Sequence, residues 1–334
     1  MDNYLKEWEI VKKMIHDYEY VYTCPYMNKN ISNVVPISRS YFKMKEMIQE
    51  FKLIEKVNLK IFSMAEAPGG FIQSLLEYSP KINTIGAVTL LSEDKSVPYW
   101  NKLLKQNKLL QFYEGIKKNG DLCDFKNILS IIKEIGKGSI DILTGDGGFD
   151  YSKDYNQQEY NSLPLIYSEI FLALNLQKRG GSFVCKIFDI FLKETIQLIY
   201  ILSISYDDLY IYKPCLSRLS NSEKYLVCKG FKGYNQSIVN KLCRSFTTNY
   251  NLDIPINYDF HLDIVNFNEK YIHRQKIQIE RGMDLVYKGE LSKKASDNQI
   301  KHAIHWCKKY NVPINNDCFY LKHTISRQIP QWRG

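Results

Sequence analysis

The sequence predicts an α/β fold in which a mostly parallel β-sheet is covered by helices on both faces. Short apolar runs typical of buried strands alternate with amphipathic helical segments through the first two thirds of the 334 residues. The last two predicted strands follow one another without a helix between them, which indicates an antiparallel hairpin at one edge of the sheet. An α-rich, basic C-terminal region is expected to follow.

Composition places the chain among folded proteins, with 45% hydrophobic and 24% charged residues. A chain of this length can bury an α/β core and still carry ~100 further residues. The apolar run at 196–204 is too short to span a bilayer, and the first residues lack a signal-peptide core. We therefore expect an intracellular, cytoplasmic protein that does not bind membranes.

The chain carries a formal net charge of +9, which predicts an acidic partner such as nucleic acid, although a solvated basic face is the alternative. Its eight cysteines form no CxxC pair and read as buried thiols in a reducing compartment. A group of possible ligands lies near the C-terminus, but its spacing fits no standard zinc pattern, so no metal is expected. This group comprises His302, His305, Cys307, Cys318 and His323.

Residues 60–76, KIFSMAEAPGGFIQSLL, join an apolar strand to an amphipathic helix through a tight turn. Pro68, Gly69 and Gly70 stand at the joint, where the backbone must turn sharply. Such a strand, turn and helix is typical of a nucleotide site, with free N–H groups and the positive end of the helix facing a crevice. The alternative is that the glycines meet only the steric needs of the turn.

Two helices are predicted before this stretch, one near the N-terminus and one over 38–51, with Lys43 in the first turns of the second. Between them lies a tyrosine-rich segment containing Tyr18, Tyr20, Tyr22 and Tyr26. Its alternating aromatics predict a half-buried strand, or alternatively a surface on which a nucleobase stacks.

The remaining elements follow in order after the glycine turn. Strands are predicted at 84–88, 109–113, 139–148, 182–188, 209–213 and 224–229. Helices are predicted at 125–135, 157–178 and 192–203, and in the C-terminal region at 267–279 and 298–309. Gly180 and Gly181 are expected to close the helix over 157–178.

Four charged residues are expected to meet at one edge of the sheet. Lys186 lies inside the apolar strand SFVCKIF, where a lysine costs several kcal/mol unless it is paired or functional. Asp146 ends the preceding strand in the sheet, Glu223 opens the last strand, and Lys43 can approach from its helix. Open α/β sheets bind ligands at the carboxyl ends of their strands. The alternative for each residue taken singly is a structural ion pair.

The motifs around these residues resemble those of the FtsJ-like (RrmJ-type) 2′-O-ribose methyltransferases, and most of all the cap-specific mRNA branch found in eukaryotes and large DNA viruses. The segments are SRSYFKMKE, AEAPGGF, GDGGF, GGSFVCKIFD and KPCLSRLSNSEKYLVCKGF. The resemblance implies a Rossmann-like S-adenosylmethionine-dependent methyltransferase fold over 38–233. It also implies a catalytic Lys-Asp-Lys-Glu tetrad on Lys43, Asp146, Lys186 and Glu223. Residues 1–37 then form an N-terminal helix and aromatic segment, and 234–334 a basic appendage.

The resemblance further implies a cofactor site with Asp124 near the adenine and Asp146 near the sulfonium of S-adenosylmethionine. The cofactor loop comprises Ala65, Glu66, Ala67, Pro68, Gly69, Gly70 and Phe71. Ser63 departs from the family, which has an acidic residue there; either Glu66 substitutes for that residue or cofactor binding is weakened. The residues after the second strand, at 88–90, also lack the acid that would bind the cofactor ribose.

RNA contacts are expected from Arg39, Arg218, Ser220 and Asn221. A 7-methylguanine cap is a cation with a large π-face, so a stacking aromatic residue is also expected. The candidates are Tyr22, Tyr26, Phe149 and Tyr151.

The implied function is methyl transfer to the 2′-hydroxyl of the first transcribed nucleotide of capped mRNA, which converts cap 0 to cap 1. Lys186 is the expected general base, and a neutral lysine requires a pKa well below its usual ~10.4. One alternative is a methyltransferase of internal ribose in ribosomal or transfer RNA. Another is a non-catalytic RNA-binding subunit of a capping or polymerase complex. Other capping or transcription subunits are expected partners, and the compact length would suit a large DNA virus, with a viral factory or virion as its location.

Overall fold

The computed structural model describes residues 2–148, 155–246, 248 and 250–325. The chain divides into two compact units. The sheet unit comprises Ser40–Pro214 and Glu223–Glu269, and the helical unit comprises Met1–Arg39, Cys215–Ser222 and Lys270–Gly334. The domain boundaries expected at 37/38 and 233/234 remain a prediction.

The sheet unit is built on seven strands within the described residues, in the order β3-β2-β1-β4-β5-β7-β6. Strands β1 to β5 are parallel, whereas β7 runs antiparallel to both β5 and β6. The strands are β1 Leu59–Met64, β2 Ile82–Val88, β3 Leu110–Tyr113, β4 Ile140–Gly145, β5 Gln177–Ile187, β6 Tyr206–Tyr212 and β7 Lys224–Phe231. The predicted α/β class and antiparallel edge hairpin are confirmed.

Helices cover the sheet because its central strands are apolar on both faces. The register partners Phe62 and Leu143 point to one face and the partners Ile61 and Ile142 to the other, and all four side chains are buried. The helices of the chain are α1 Asp2–Met14, α2 Ser40–Glu50, α3 Gly70–Leu76, α4 Lys102–Lys105, α5 Phe125–Ile135, α6 Gln158–Leu176, α7 Lys193–Ser205, α8 Gln236–Ser245, α9 Tyr258–Tyr287, α10 Asp297–Lys309 and α11 Phe319–Ile325. Within the described ranges, no helix is long and apolar enough to span a membrane.

The expected role of Gly180 and Gly181 as a helix end is wrong. Helix α6 already ends at Leu176, and both glycines lie inside β5. A Cβ atom on Gly181 would stand 2.6 Å from the carbonyl oxygen of Asp141 on β4. Glycine at this position therefore permits close approach of the two strands and does not cap the helix.

The tyrosine-rich segment is also not a strand. It forms two short 3₁₀ turns, Glu19–Val21 and Met27–Lys29. The fully buried Asn30 accepts a hydrogen bond from the backbone N–H of Thr23 at 2.8 Å and donates one to the carbonyl of Cys24 at 2.7 Å. A side chain thus satisfies backbone groups that a neighbouring strand would otherwise have to pair.

The helical unit is held together by α1, α10 and the C-terminal part of α9. Gln299 on α10 donates to the backbone carbonyls of Lys13, at 2.9 Å, and His16, at 2.9 Å, at the end of α1. A Cβ atom on Gly282 of α9 would stand 2.8 Å from Trp8 and Val11 on α1. The glycine therefore lets α9 and α1 pack closely.

Candidate active site

The four charged residues lie at the carboxyl edge of the sheet. Asp146 follows β4 directly, Lys186 is the last but one residue of β5, and Glu223 immediately precedes β7. Lys43 lies in the first turn of α2. Each residue is thus placed by the end of a regular element, which fixes its backbone.

These residues form two ion pairs. The Lys43 Nζ lies 2.7 Å from the Oε1 atom of Glu223 and 2.9 Å from its Oε2 atom. The Lys186 Nζ lies 3.3 Å from the Asp146 Oδ1 and donates to the Asp146 backbone carbonyl at 2.7 Å. All four side chains are only 13–15% exposed. They are therefore largely desolvated yet still reachable by a ligand.

Tyr225 contacts the Lys186–Asp146 pair, and sequence reasoning missed it. Its hydroxyl donates to the Asp146 Oδ1 at 2.9 Å, and it faces Lys186 directly across the β5–β7 ladder. Its ring also lies 5.8 Å from that of Phe71 on α3. The sequence held part of the information needed to identify Tyr225, because Glu223 and Tyr225 are two residues apart and so point to the same face of the sheet.

The electrostatics of the site hold Lys186 as a cation. Burial alone would lower the pKa of Lys186, but the carboxylates of Asp146, Glu223 and Glu169 outweigh burial and raise it. Burial would likewise raise the pKa of Glu223, yet Lys43 and Lys186 bring it down to about 2. The neutral amine that a base requires is therefore not the resting state of Lys186.

A buried carboxyl group lies beneath the loop that carries Asp146. Glu169, in the middle of α6, is 1% exposed, and burial raises its pKa to about 8. The Cys185 thiol donates to its Oε2 atom at 3.1 Å, whereas Oε1 has no partner among the described atoms. A Cβ atom on Gly145 would stand 2.5 Å from Oε2, and one on Gly147 2.9 Å from Oε1. Both glycines are needed because the carboxyl group fills the space beneath them.

Two further lysines near the start of β7 have lowered pKa values. The Lys213 Nζ donates to the backbone carbonyl of Glu223 at 2.7 Å, and burial lowers the pKa of Lys213 to about 7. Burial also lowers the pKa of Lys224, whose Nζ lies 3.7 Å from Asp189. Neither lysine could be assigned from the sequence, since their burial depends on how β6 and β7 pack.

The start of α3 differs from the expectation of free N–H groups. Glu66 is 2% exposed, and its carboxylate accepts from the backbone N–H of Phe71 at 2.7 Å and of Ile72 at 3.1 Å. Burial and the charge of Asp146 raise its pKa well above the usual value. Ser63 is fully buried and its hydroxyl accepts from Thr144 at 2.9 Å.

The rest of the expected cofactor loop lies between β1 and α3. Ala65 has a φ of +51°, and Gly69 has a φ of +113°, which favours glycine. A Cβ atom on Gly69 would also collide with Leu104. Asp124 is the N-cap of α5, where it accepts from the Lys126 N–H at 2.8 Å and pairs with Lys117. Cofactor binding by this loop and Asp124 remains a prediction.

The expected RNA contacts belong to the helical unit. Arg39 and Arg218 both approach the fully buried carboxylate of Glu19, Arg39 at 3.6 Å and Arg218 at 2.9 Å. The backbone carbonyl of Ser220 accepts from Gln275 at 3.3 Å, and the Asn221 side chain accepts from Ser217 at 3.3 Å. Of the stacking candidates, Tyr22 is half-buried, Tyr26 is 71% exposed, and Phe149 and Tyr151 lie outside the described residues.

The histidine and cysteine residues near the C-terminus do not gather into a centre in the part of the chain that is described. Cys307 and Cys318 are buried in the helical unit, and His302 shares a hydrogen bond with the backbone carbonyl of Asn298 at 2.9 Å. In the described ranges, no group of three or more His, Cys, Asp or Glu residues could hold a metal ion.

Comparison with known families identifies the class of protein. The family model described as FtsJ-like methyltransferase matches residues 36–231. Since this match spans more than half of the chain, the chain belongs to the FtsJ-like methyltransferase family. The predicted family and fold are confirmed.

Relatives extend the comparison. The cap-specific mRNA (nucleoside-2′-O-)-methyltransferase 1A of Caenorhabditis briggsae is 29% identical over 266 residues, which are 72% of this chain and 30% of that relative. The same organism's inactive cap-specific mRNA (nucleoside-2′-O-)-methyltransferase 1B is also 29% identical, over 72% of this chain and 31% of the relative. The cap-specific mRNA (nucleoside-2′-O-)-methyltransferase 2 of Pongo abelii is 29% identical, over 65% and 30%. The chain thus spans less than a third of the length of these relatives.

One solved structure is described as a putative ribosomal RNA methyltransferase from Plasmodium falciparum. It is 21% identical, with a TM-score of 0.44, and the match covers 59% of this chain and 99% of that one.

Proposed function

We propose that this protein is an S-adenosylmethionine-dependent RNA 2′-O-methyltransferase that acts on the first transcribed nucleotide of capped mRNA. The single observation that carries the proposal is the pair of lysine–carboxylate contacts, Lys43 with Glu223 and Lys186 with Asp146, at the carboxyl edge of the sheet. Two relatives that match 65–72% of this chain are named as cap-specific mRNA methyltransferases. Their names support capped mRNA as the substrate.

The residues beside the glycine turn fit the proposed methyl donor. The Asp146 side chain is 13% exposed, and the negative charge of its carboxylate would attract a cationic ligand. A Cβ atom on Gly148 would stand 3.2 Å from the Lys186 Nζ, so glycine there leaves the amine accessible. When bound, S-adenosylmethionine supplies an activated methyl group on a positively charged sulfur.

In this mechanism Lys186 accepts the proton of the 2′-hydroxyl as the new oxygen–carbon bond forms. The carboxylate of Asp146 is the leading cause of the raised pKa of Lys186. A cation bound against Asp146 offsets that carboxylate, lowers the pKa of Lys186, and favours the neutral amine. The site would therefore generate its base when the methyl donor is in place.

The other residues orient the reacting groups. Tyr225 holds the Asp146 Oδ1, and the Asp146 backbone carbonyl anchors the Lys186 Nζ. Both carboxylate oxygens of Glu223 hold the Lys43 ammonium group, so it cannot easily rotate away. Lys43 donates to the ribose 2′-hydroxyl and so positions it. Fixed orientation of this kind can supply a large part of the rate enhancement.

The experiment that tests the substrate is transfer of labelled methyl groups to short RNAs ending in m7GpppA, GpppA or pppA, with the modified nucleotide mapped by nuclease digestion. We expect label on the first ribose of the m7G-capped RNA only. Label that is independent of the cap would overturn the cap-specific assignment in favour of internal RNA. The matched control is Lys126→Ala, an exposed residue of α5, which should behave as the wild type.

Absence of label with RNA still bound would favour the non-catalytic alternative. A relative that is named as inactive supports this alternative, since it is as similar to this chain as its counterpart without that label, at 29% identity.

A further inference from the structure

A cavity of about 280 Å³ lies at the opposite, amino edge of the sheet, away from the tetrad. Its walls come from five places in the sheet unit: the loop 52–58 after α2, and parts of β1, β4, β5 and β7. Parallel strands present their carboxyl ends at one edge and their amino ends at the other. Six residues of β1 at ~3.3 Å each put about 20 Å between the two edges.

The cavity is basic. Five basic residues line it against two acidic ones, Glu55 and Asp141. The basic residues are Lys52, Lys56, Lys178, Arg179 and Lys229. This excess of positive charge comes from three separate segments of the chain and is not a run in the sequence, so the fold itself brings it together.

The carboxylate of Asp141 is already engaged. Its Oδ2 atom accepts from the backbone N–H of Lys60 at 2.9 Å, and its Oδ1 atom lies 3.5 Å from the Lys178 Nζ. Among the described residues, the other four basic side chains of the cavity form no ion pair. Five cations against two carboxyl groups leave a net positive charge in the lining, and an anion bound among these cations reduces their mutual repulsion.

Gly180, which lines the cavity, is not needed to avoid a clash with neighbouring atoms. Gly180 has a φ of +77°, and a Cβ atom there would meet no atom within 4 Å. Its neighbour Arg179 is exposed, so its guanidinium can turn toward a ligand in the cavity. Arginine binds phosphate oxygens with two parallel N–H groups, which makes it well suited to a phosphate ligand.

We propose that this cavity binds phosphate groups of the RNA chain outside the active site. The residues that line it include no aromatic side chain, so the cavity, as far as the structure describes it, offers no platform for stacking a base. Recognition would therefore be of the backbone and independent of sequence. Only RNA that extends well beyond its first nucleotides can contact both edges of the sheet. RNA as the source of the phosphate rests on the proposed function.

The test uses the double variant Lys56→Glu/Arg179→Glu of the full chain and capped RNAs of about 5 and about 30 nucleotides, with binding measured by fluorescence anisotropy over a range of salt concentrations. We expect the variant to bind the long RNA about tenfold more weakly, with a shallower salt dependence, and the short RNA as the wild type does. The control variant Lys133→Glu/Lys241→Glu reverses two exposed charges on α5 and α8 and should bind both RNAs normally.

Equal loss of affinity for both RNAs, or no loss for the long one, would overturn the proposal. The binding assay does not depend on catalysis, so it gives a result even if the protein transfers no methyl group. Titration with inorganic pyrophosphate separates the two sources of phosphate. If the variant loses pyrophosphate binding but keeps the affinity for long RNA, the cavity takes a free phosphate ligand and the RNA assignment is wrong.

Discussion

Lys186 illustrates how three acidic residues determine the chemistry of one amine. The apolar strand around it already indicated that it needs a partner, and Asp146 and Glu223 could be named from the sequence. The third acidic residue, Glu169, lies in the middle of an apolar helix and reaches the site only because α6 packs beneath the loop after β4. The direction of the pKa shift of Lys186 therefore could not be derived from the sequence.

Glu169 gives a prediction about stability and pH. Burial raises its pKa from 4.5 to about 8 in the folded protein, so the stabilisation of its neutral form is fully present below pH 4.5 and is lost as the pH rises through 8. Glu169→Gln removes this loss. We expect the variant to gain about 3–5 kcal/mol relative to wild type between pH ~5 and pH ~9, measured by urea unfolding.

The control for this experiment is Glu134→Gln, an exposed residue of α5, whose stability curve should run parallel to that of the wild type. A parallel curve for Glu169→Gln as well would contradict the prediction, because it would mean that Glu169 is ionised as easily in the folded chain as in the unfolded one.

At the scale of elements, apolar periodicity located every strand of the sheet but not every boundary. The predicted helix end at Gly180 and Gly181 was wrong, because a glycine pair after a helix resembles a cap even when it lies inside a strand, where Gly181 permits close packing. The prediction failed again in the tyrosine-rich segment, where the side chain of Asn30 holds the backbone in turns. Both errors involve contacts with distant or side-chain groups that no local pattern records.

The start of α3 gives a prediction at this scale. At pH ~4, where the raised pKa of Glu66 carries no cost of ionisation, Glu66→Ala leaves the buried N–H groups of Phe71 and Ile72 without a partner, which should cost about 1–3 kcal/mol of unfolding free energy. The matched control is Ser74→Ala on the same helix, since the buried Ser74 hydroxyl has no hydrogen-bond partner among the described atoms. We expect the control to be as stable as the wild type in urea unfolding. Equal stability of both variants would show that Glu66 does not cap the helix.

At the scale of the whole molecule, the family match and the compact units divide the chain differently. The match covers 36–231, whereas the sheet unit continues to Glu269 and omits Cys215–Ser222. Motifs could identify only the matched part, because the remaining residues carry charge and helical periodicity but no recognisable chemistry. The amino-edge cavity was invisible in the sequence for the same reason, since its basic residues come from separate segments.

The most direct measurement is single-turnover methyl transfer to m7G-capped RNA by the wild type, by Lys186→Ala and by the exposed control Lys193→Ala, followed by alkaline hydrolysis of the product. A 2′-O-methyl group blocks attack on the adjacent phosphate, so label at that position survives in an alkali-resistant dinucleotide. We expect resistant label with the wild type and the control, and a rate at least ~100-fold lower with Lys186→Ala. Near-normal turnover by Lys186→Ala, or label that alkali releases as single nucleotides, would contradict the assignment of Lys186 as the base of a ribose methyltransferase.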